Sequence, residues 1–123
     1  MQSHKEIAVI FEQLVVSGQI REAYEKYVSP DFRHHNPYFK GDAVSLKAGM
    51  AEAHEKFPAT ILEVQHLLED GEFVAVHSRV QHGPETSAIA VVHIFRFAGE
   101  QIAELWDVGM EVPADSPNEY GMF

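Results

Sequence analysis

The chain has 123 residues, of which 46% are hydrophobic and 11% aromatic, a composition typical of one globular domain and unlike that of disordered chains. Its formal net charge of −10 argues against nucleic acid and anionic membrane surfaces as partners, and no apolar run approaches the roughly 18 residues that span a bilayer. Because cysteine is absent, disulfides and thiolate chemistry are excluded. The absence of cysteine and the lack of a signal-peptide pattern at the N-terminus favour a cytoplasmic location.

The first half of the chain predicts three helices. Ser3 and Glu6 form a capping-box pattern in front of a run of apolar residues at helical spacing, which predicts the first helix. An apolar stripe over residues 20–27 predicts a short second helix. Asp42 is the expected cap of a third helix over residues 43–56.

The segment 31–37, DFRHHNP, is too polar for a buried strand and too short for a helix. Since residues before proline avoid the α region, we expect an extended piece that ends in a turn. Four segments of strand character follow, separated by turn dipeptides: residues 60–69, 73–82, 88–97 and 102–112. Their short connections predict an antiparallel meander. The sequence therefore predicts an α+β fold, a single domain over residues 1–123 with three N-terminal helices packed on one face of the sheet.

Three ionisable residues lie in the middles of consecutive predicted strands: His77, His93 and Asp107. Each has an ordinary explanation, since a lone histidine on an apolar face is most often a hydrogen-bonded core residue and a mid-strand aspartate most often faces solvent. Together they favour a shared pocket, because perturbed ionisable groups gather at functional sites.

The register of the last two strands decides whether this pocket exists. If Phe97 pairs with Ile102 and the ladder is regular, Asp107 points to the face opposite His93. A shift by one residue, or a bulge near Gly109, brings the two side chains to the same face. The sequence leaves both registers open.

The likeness to a known family rests on several short stretches: His35-Asn36-Pro37, VHIFR at 92–96, Gly99 with Ile102, ELWDV at 104–108, and the tail 118–123. In the stretches before the tail the chain resembles the SnoaL-like polyketide cyclases of the nuclear-transport-factor-2-like superfamily. Its tail resembles that of a bacterial branch of this family, described as SnoaL-like aldol-condensation proteins. The resemblance implies a strongly curved antiparallel sheet, a cystatin-like cone with the helices on its concave side and a central pocket.

The resemblance also implies roles for individual residues. In the family an aspartate of the last strand acts as acid/base, helped by a histidine of the preceding strand, and Asp107 and His93 hold those positions here. The residues expected to bind substrate are His35, Asn36, His77, Trp106, Phe73 and Leu105. The implied reaction is proton abstraction alpha to a carbonyl, of the aldol or isomerase type, on an apolar carbonyl-bearing ligand, with no cofactor and no metal. Because a carboxylate in an apolar pocket usually has a raised pKa, we expect a raised pKa for Asp107.

Two alternatives concern the nature of the pocket. The first is a non-catalytic small-ligand binding protein on the same fold, since fold alone does not establish an enzyme. The second is a metal site, for which the candidate ligands are His34, His35, His77, His82 and His93. Against a metal site, no His-x-His or His-x-x-x-His pair lies on a single predicted element.

Other versions of the fold are less well matched. The hydrolase version, which opens epoxides with Asp-Arg-Asp, needs a second pocket carboxylate, for which Glu104 is the nearest candidate and Arg79 the nearest arginine. The isomerase version needs a tyrosine in its oxyanion site, and none occurs between Tyr38 and Tyr120. A third alternative is a purely structural assembly module, because the outer face of the sheet carries apolar residues of its own. In relatives this face often forms a homodimer, and we expect one here.

Overall fold

The structure is a computed structural model that describes residues 2–123 of the chain. Its helices are α1 (His4–Val16), α2 (Ile20–Tyr27) and α3 (Ala43–Lys56), and its strands are β1 (Val28–His35), β2 (Ile61–Asp70), β3 (Phe73–Gln81), β4 (Ile89–Ala98) and β5 (Gln101–Glu111). The predicted capping box starts α1, where Ser3 Oγ accepts from the Glu6 N–H at 3.1 Å, and Asp42 Oδ1 accepts from the Ser45 N–H at 2.7 Å to start α3. Within residues 2–123, none of the helices is long and apolar enough to cross a membrane.

The five strands form one sheet in the order β1-β5-β4-β3-β2. The predicted antiparallel meander of the last four strands is confirmed. The prediction of an antiparallel sheet is incomplete, because β1 joins the edge of the sheet parallel to β5. The polar sequence of β1 did not indicate a strand of the sheet, because only alternate side chains of β1 are covered. Phe32 and His34 are buried, whereas Arg33 and His35 are exposed. The α+β class, with three helices on one sheet, is confirmed.

A bulge in β5 settles the register between the last two strands. Phe97 pairs with Ile102, but Arg96 pairs with Glu104, so Ala103 is an extra residue in β5. The bulge therefore lies at Ala103 and not near Gly109. In β5 after Ala103, each side chain therefore points to the opposite face of the sheet from the one that it would take in a regular ladder.

All three helices lie against one face of the sheet, here called the inner face; the opposite face is called the outer face. Phe11 of α1 packs edge-on against Phe95 of β4, with ring centroids 6.0 Å apart. The core around this pair is almost completely buried and includes Ile7, Leu46, Val74, Val76, Ile102 and Leu105. The inner face is thus apolar near the turn between β4 and β5, and it opens into a cavity towards the other end of the sheet.

Candidate functional site

A cavity of about 550 Å³ lies between the inner face of the sheet and the helices α1 and α3. Its walls are largely apolar and include Phe11, Phe39, Leu46, Met50, Val91 and Leu105. A volume of this size is typical of pockets for small organic molecules. The polar side chains within it are therefore the candidates for chemistry.

His93 and Asp107 face each other in this cavity. They are directly paired residues of β4 and β5, and both point inward because of the bulge at Ala103. The Nε2 atom of His93 lies 3.2 Å from Oδ1 of Asp107. This contact brings together the two residues to which the family resemblance gives acid/base roles.

Asn36 completes the surroundings of Asp107. It follows directly after β1, and its Nδ2 donates to Oδ2 of Asp107 at 2.7 Å. Its Oδ1 accepts from the Tyr38 N–H at 3.0 Å, and its own N–H donates to Nδ1 of His34 at 3.1 Å. These bonds hold the turn and orient the amide so that its donor faces the carboxylate.

Glu12 of α1 is a member of the site that the sequence prediction missed. Its side chain is 4% exposed, and its Oε1 contacts Nδ1 of His93, on the side of the ring away from Asp107. A signal was present in the sequence, because Glu12 lies four residues after Ala8 and next to Phe11 on the buried stripe of α1. The result is a continuous chain of contacts from Glu12 through His93 and Asp107 to Asn36.

The charges in this chain of contacts depend on one another. Burial alone would lower the pKa of His93, but the carboxylates of Glu12 and Asp107 outweigh burial and raise it to about 10. Burial would raise the pKa of Asp107, but His93 and the donor of Asn36 outweigh it and lower that pKa. The expected raised pKa of Asp107 is therefore wrong, because its neighbours stabilise the ionised form.

Of the six residues predicted to bind substrate, Asn36 and Leu105 line the cavity. The other four, His35, His77, Trp106 and Phe73, lie on the outer face and are not part of the cavity lining. The reason is the two-residue period of a strand: each of them alternates with buried or inward-facing neighbours such as Val74, Val76 and Leu105. The placement of these four at the cavity is corrected accordingly.

Glu104 lies on the outer face too, so it is not the second pocket carboxylate that the sequence suggested. It accepts hydrogen bonds from Arg33, His35 and Arg96 at 2.7–3.3 Å. Its bond to Arg33, followed by those to His35 and Arg96, lowers the pKa of Glu104 to about 2. The second carboxyl group in the cavity is Glu12.

Two further histidines, His54 and His82, line the cavity away from Asp107. His82 stacks on Phe57 with ring centroids 4.5 Å apart, and its Nδ1 lies 2.9 Å from Oγ1 of Thr60. Because that hydroxyl donates to the carbonyl of Phe57 at 2.7 Å, it accepts from His82 Nδ1–H. Among the described residues, no three His, Asp or Glu side chains are arranged to hold a metal ion.

The chain is similar in structure to proteins with the same arrangement of helices and sheet. These include an uncharacterised cystatin-fold protein from Novosphingobium aromaticivorans (TM-score 0.73, 20% identity, 88% of this chain and 99% of that one covered). The chain is also similar to a SnoaL-like polyketide cyclase from Agrobacterium tumefaciens (TM-score 0.72, 14% identity, 89% of this chain and 93% of that one covered). A third similar structure is an NTF2-like protein of unknown function from Cytophaga hutchinsonii (TM-score 0.72, 13% identity, 89% and 92% covered). At these identities the likeness establishes the fold alone.

No protein of curated function matches the chain. The family model of the SnoaL-like domain matches residues 11–105. Since the match covers well over half of the 123 residues, the chain belongs to the SnoaL-like domain family.

Proposed function

We propose that this protein binds an apolar, carbonyl-bearing small molecule and removes a proton from the carbon next to the carbonyl group, with Asp107 as acid/base. The observation that carries the proposal is the contact of 3.2 Å between Asp107 and His93 inside an apolar cavity. A carboxylate and a protonated imidazole side by side, shielded from bulk water, are suited to moving a proton and to stabilising the charge that develops.

Asp107 starts as the base, because its lowered pKa keeps it ionised at neutral pH. The proton passes from the α-carbon to the carboxylate, and the electron pair of the C–H bond moves to the carbonyl oxygen to give an enolate. Neutral Asp107 then attracts His93 less strongly, so the Nε2–H of His93 becomes free to donate to the enolate oxygen. If Asp107 returns the proton to another carbon of the ligand, the result is an isomerisation. If the enolate carbon instead attacks a second carbonyl group and Asp107 gives its proton to the new alkoxide, the result is an aldol closure.

Glu12 holds His93 in the orientation that this step requires. Its carboxylate accepts from Nδ1–H and so leaves Nε2–H directed at Asp107. The pair of carboxylates also favours the charged imidazole, which is the form that can donate to an enolate. In this proposal Glu12 is a positioning residue and does not touch the ligand.

The test is hydrogen–deuterium exchange at the α-carbon of small apolar ketones, for example 2-tetralone and 1-indanone, followed by proton NMR in D₂O. We expect the protein to accelerate exchange and the variant Asp107→Asn to lose about 10²–10⁴-fold of that acceleration, the usual contribution of a general base. The matched control is Asp70→Asn, at the turn between β2 and β3, which should exchange like the parent. Binding of the ketones is measured in parallel by saturation-transfer NMR.

The outcomes separate catalysis from binding. If ketones bind in the cavity without faster exchange, the protein is a binding protein and the catalytic proposal fails. If exchange is accelerated equally by Asp107→Asn, Asp107 is not the base. If no ketone binds at all, the assignment of an apolar carbonyl ligand is wrong.

The proposal includes a homodimer through the outer face of the sheet. Apolar side chains are exposed there beside Glu104 and its ion-pair partners, with Phe73 40% and Val108 65% exposed. Trp106 lies between them and stacks on His35. An exposed apolar surface rimmed by charged residues is typical of a contact between protein chains. A symmetric dimer through this patch leaves both cavities open on the inner faces.

A further inference from the structure

His66 and His77 form a close pair on the outer face, on the opposite side of the sheet from the cavity. They are directly opposite residues of β2 and β3, next to a bulge in β2. Their Nδ1 atoms lie 2.9 Å apart, and their ring planes are parallel to within 1°. The pair comes from two strands, which is why a search for histidine spacing along one element does not find it.

The hydrogen positions in this pair follow from its contacts. Nε2 of His77 lies 3.0 Å from the carbonyl oxygen of Met122, and a carbonyl only accepts, so Nε2 carries the hydrogen. In neutral His77 the lone pair is therefore on Nδ1, facing His66. His66 donates from its Nδ1, so a single proton joins the two rings. When that proton moves to Nε2 of the exposed His66, the lone pairs on both Nδ1 atoms are directed at the space between the two rings.

We propose that the His66–His77 pair binds one divalent transition-metal ion, such as Zn²⁺ or Ni²⁺, through the two Nδ1 atoms in place of the shared proton. Neutral imidazole is a preferred ligand of these ions. Metal–nitrogen distances of about 2.0–2.1 Å with a tetrahedral angle need the nitrogens about 3.4 Å apart. The exposed His66 side chain can make that small change by turning about its side-chain bonds, and water supplies the remaining ligands.

The surroundings of His77 support this assignment. Histidine ligands of metals commonly donate their second ring nitrogen to a backbone carbonyl, which fixes the tautomer and the direction of the ring. Met122 supplies that carbonyl here, and the ring of Phe123 stacks on His77 at 5.9 Å and 17°. Arg79, two residues after His77 in β3, pairs with Glu63 of β2 at 3.4 Å, so these two groups add no net charge.

Isothermal titration calorimetry of the full chain with NiCl₂ and with ZnCl₂, at neutral pH, tests the proposal. We expect one site per chain, and His66→Ala and His77→Ala should each weaken binding by more than about tenfold. Loss of a group that only hydrogen-bonds to a metal ligand already costs about 10–100-fold in affinity, and loss of a ligand itself should cost at least as much. His4→Ala is the matched control, because His4 is a lone histidine whose Nε2 contacts the carbonyl of Gly99, and it should bind like the parent. Thermal unfolding of each metal-free variant checks its fold.

Nitrogen NMR of the imidazole rings shows which atoms bind. The expected result is a shift of the Nδ1 signals of His66 and His77 on adding Zn²⁺, reversed when EDTA removes the ion. Deuterium exchange of 2-tetralone should not change, because the pair lies outside the cavity. Absence of saturable binding, binding unaffected by either substitution, or loss with only one of them would each overturn the proposal.

Discussion

His93 and Asp107 meet in the cavity because one residue, Ala103, is inserted into β5. The bulge changes the pairing from Phe97 with Ile102 to Arg96 with Glu104, so that His93 lies opposite Asp107 and both point inward. Without it Asp107 would lie on the outer face, and the cavity would lose the carboxylate on which the proposed chemistry rests. The same bulge places Glu104 among Arg33, His35 and Arg96 on the outer face.

Replacing Glu12 by glutamine should move the alkaline limit of the ketone exchange. His93 must be protonated to donate to the enolate, so the rate should fall as the pH rises through its pKa of about 10. Because the Glu12 carboxylate raises this pKa, Glu12→Gln should shift the falling limb to lower pH. The measurement is the pH profile of exchange; Glu52→Gln, on the exposed surface of α3, is the control. A reduced rate with an unshifted profile would mean that Glu12 acts only on the fold.

Removing the donor of Asn36 should move the acid limit. Asp107 acts as a base only when ionised, so the rate falls as the pH drops through its lowered pKa. Asn36→Ala removes the bond of 2.7 Å that stabilises the ionised carboxylate, so the pKa of Asp107 should rise and the acid limb should move to higher pH. The profile of Asn118→Ala, a substitution in the C-terminal tail, should match that of the parent. An acid limb that stays in place would show that Asn36 does not act through Asp107.

Replacing His93 by leucine should be costly to stability, because it leaves the carboxylates of Glu12 and Asp107 without the cation between them. Breaking a buried ion pair by removing one partner typically costs about 3–5 kcal/mol. Urea unfolding at neutral pH measures the loss. The double variant Glu12→Leu and His93→Leu, which also removes the more buried of the two carboxylates, should recover a large part of it. A double variant no more stable than the single one would contradict this account.

The outer-face dimer is tested by a charge at Val108, which is 65% exposed beside Trp106. We expect sedimentation to show a dimer for the parent and a monomer for Val108→Arg, since an unpaired charge in an apolar interface is strongly unfavourable. Val44→Arg is the control, because Val44 is also exposed, at 78%, but lies on α3. A parent that sediments as a monomer would remove the dimer from the proposal, and a dimeric Val108→Arg would place the contact elsewhere.

The sequence by itself determined the elements and much of their order, because these depend on local chemistry. Helical spacing, the caps at Ser3 and Asp42, and the turn dipeptides act over a few residues. The three helices and the last four strands therefore lie close to their predicted bounds, whereas β1 begins before the predicted extended piece. The resemblance named the SnoaL-like family, to which the chain belongs. Asp107, His93 and Asn36 were singled out from the sequence, and the structure brings them together; their catalytic roles remain a proposal.

Tertiary structure decided everything that depends on which face of an element is covered. Alternation along a strand gives two faces but does not say which one meets the helices, so His77, Trp106 and Phe73 were placed at the cavity although they lie on the outer face. Glu12 reaches His93 across 81 positions of sequence, which no local pattern reports. The parallel pairing of β1 and the bulge at Ala103 are likewise long-range, because backbone pairing between distant strands sets them. Whether Asp107 faces the cavity was decided by that single inserted residue.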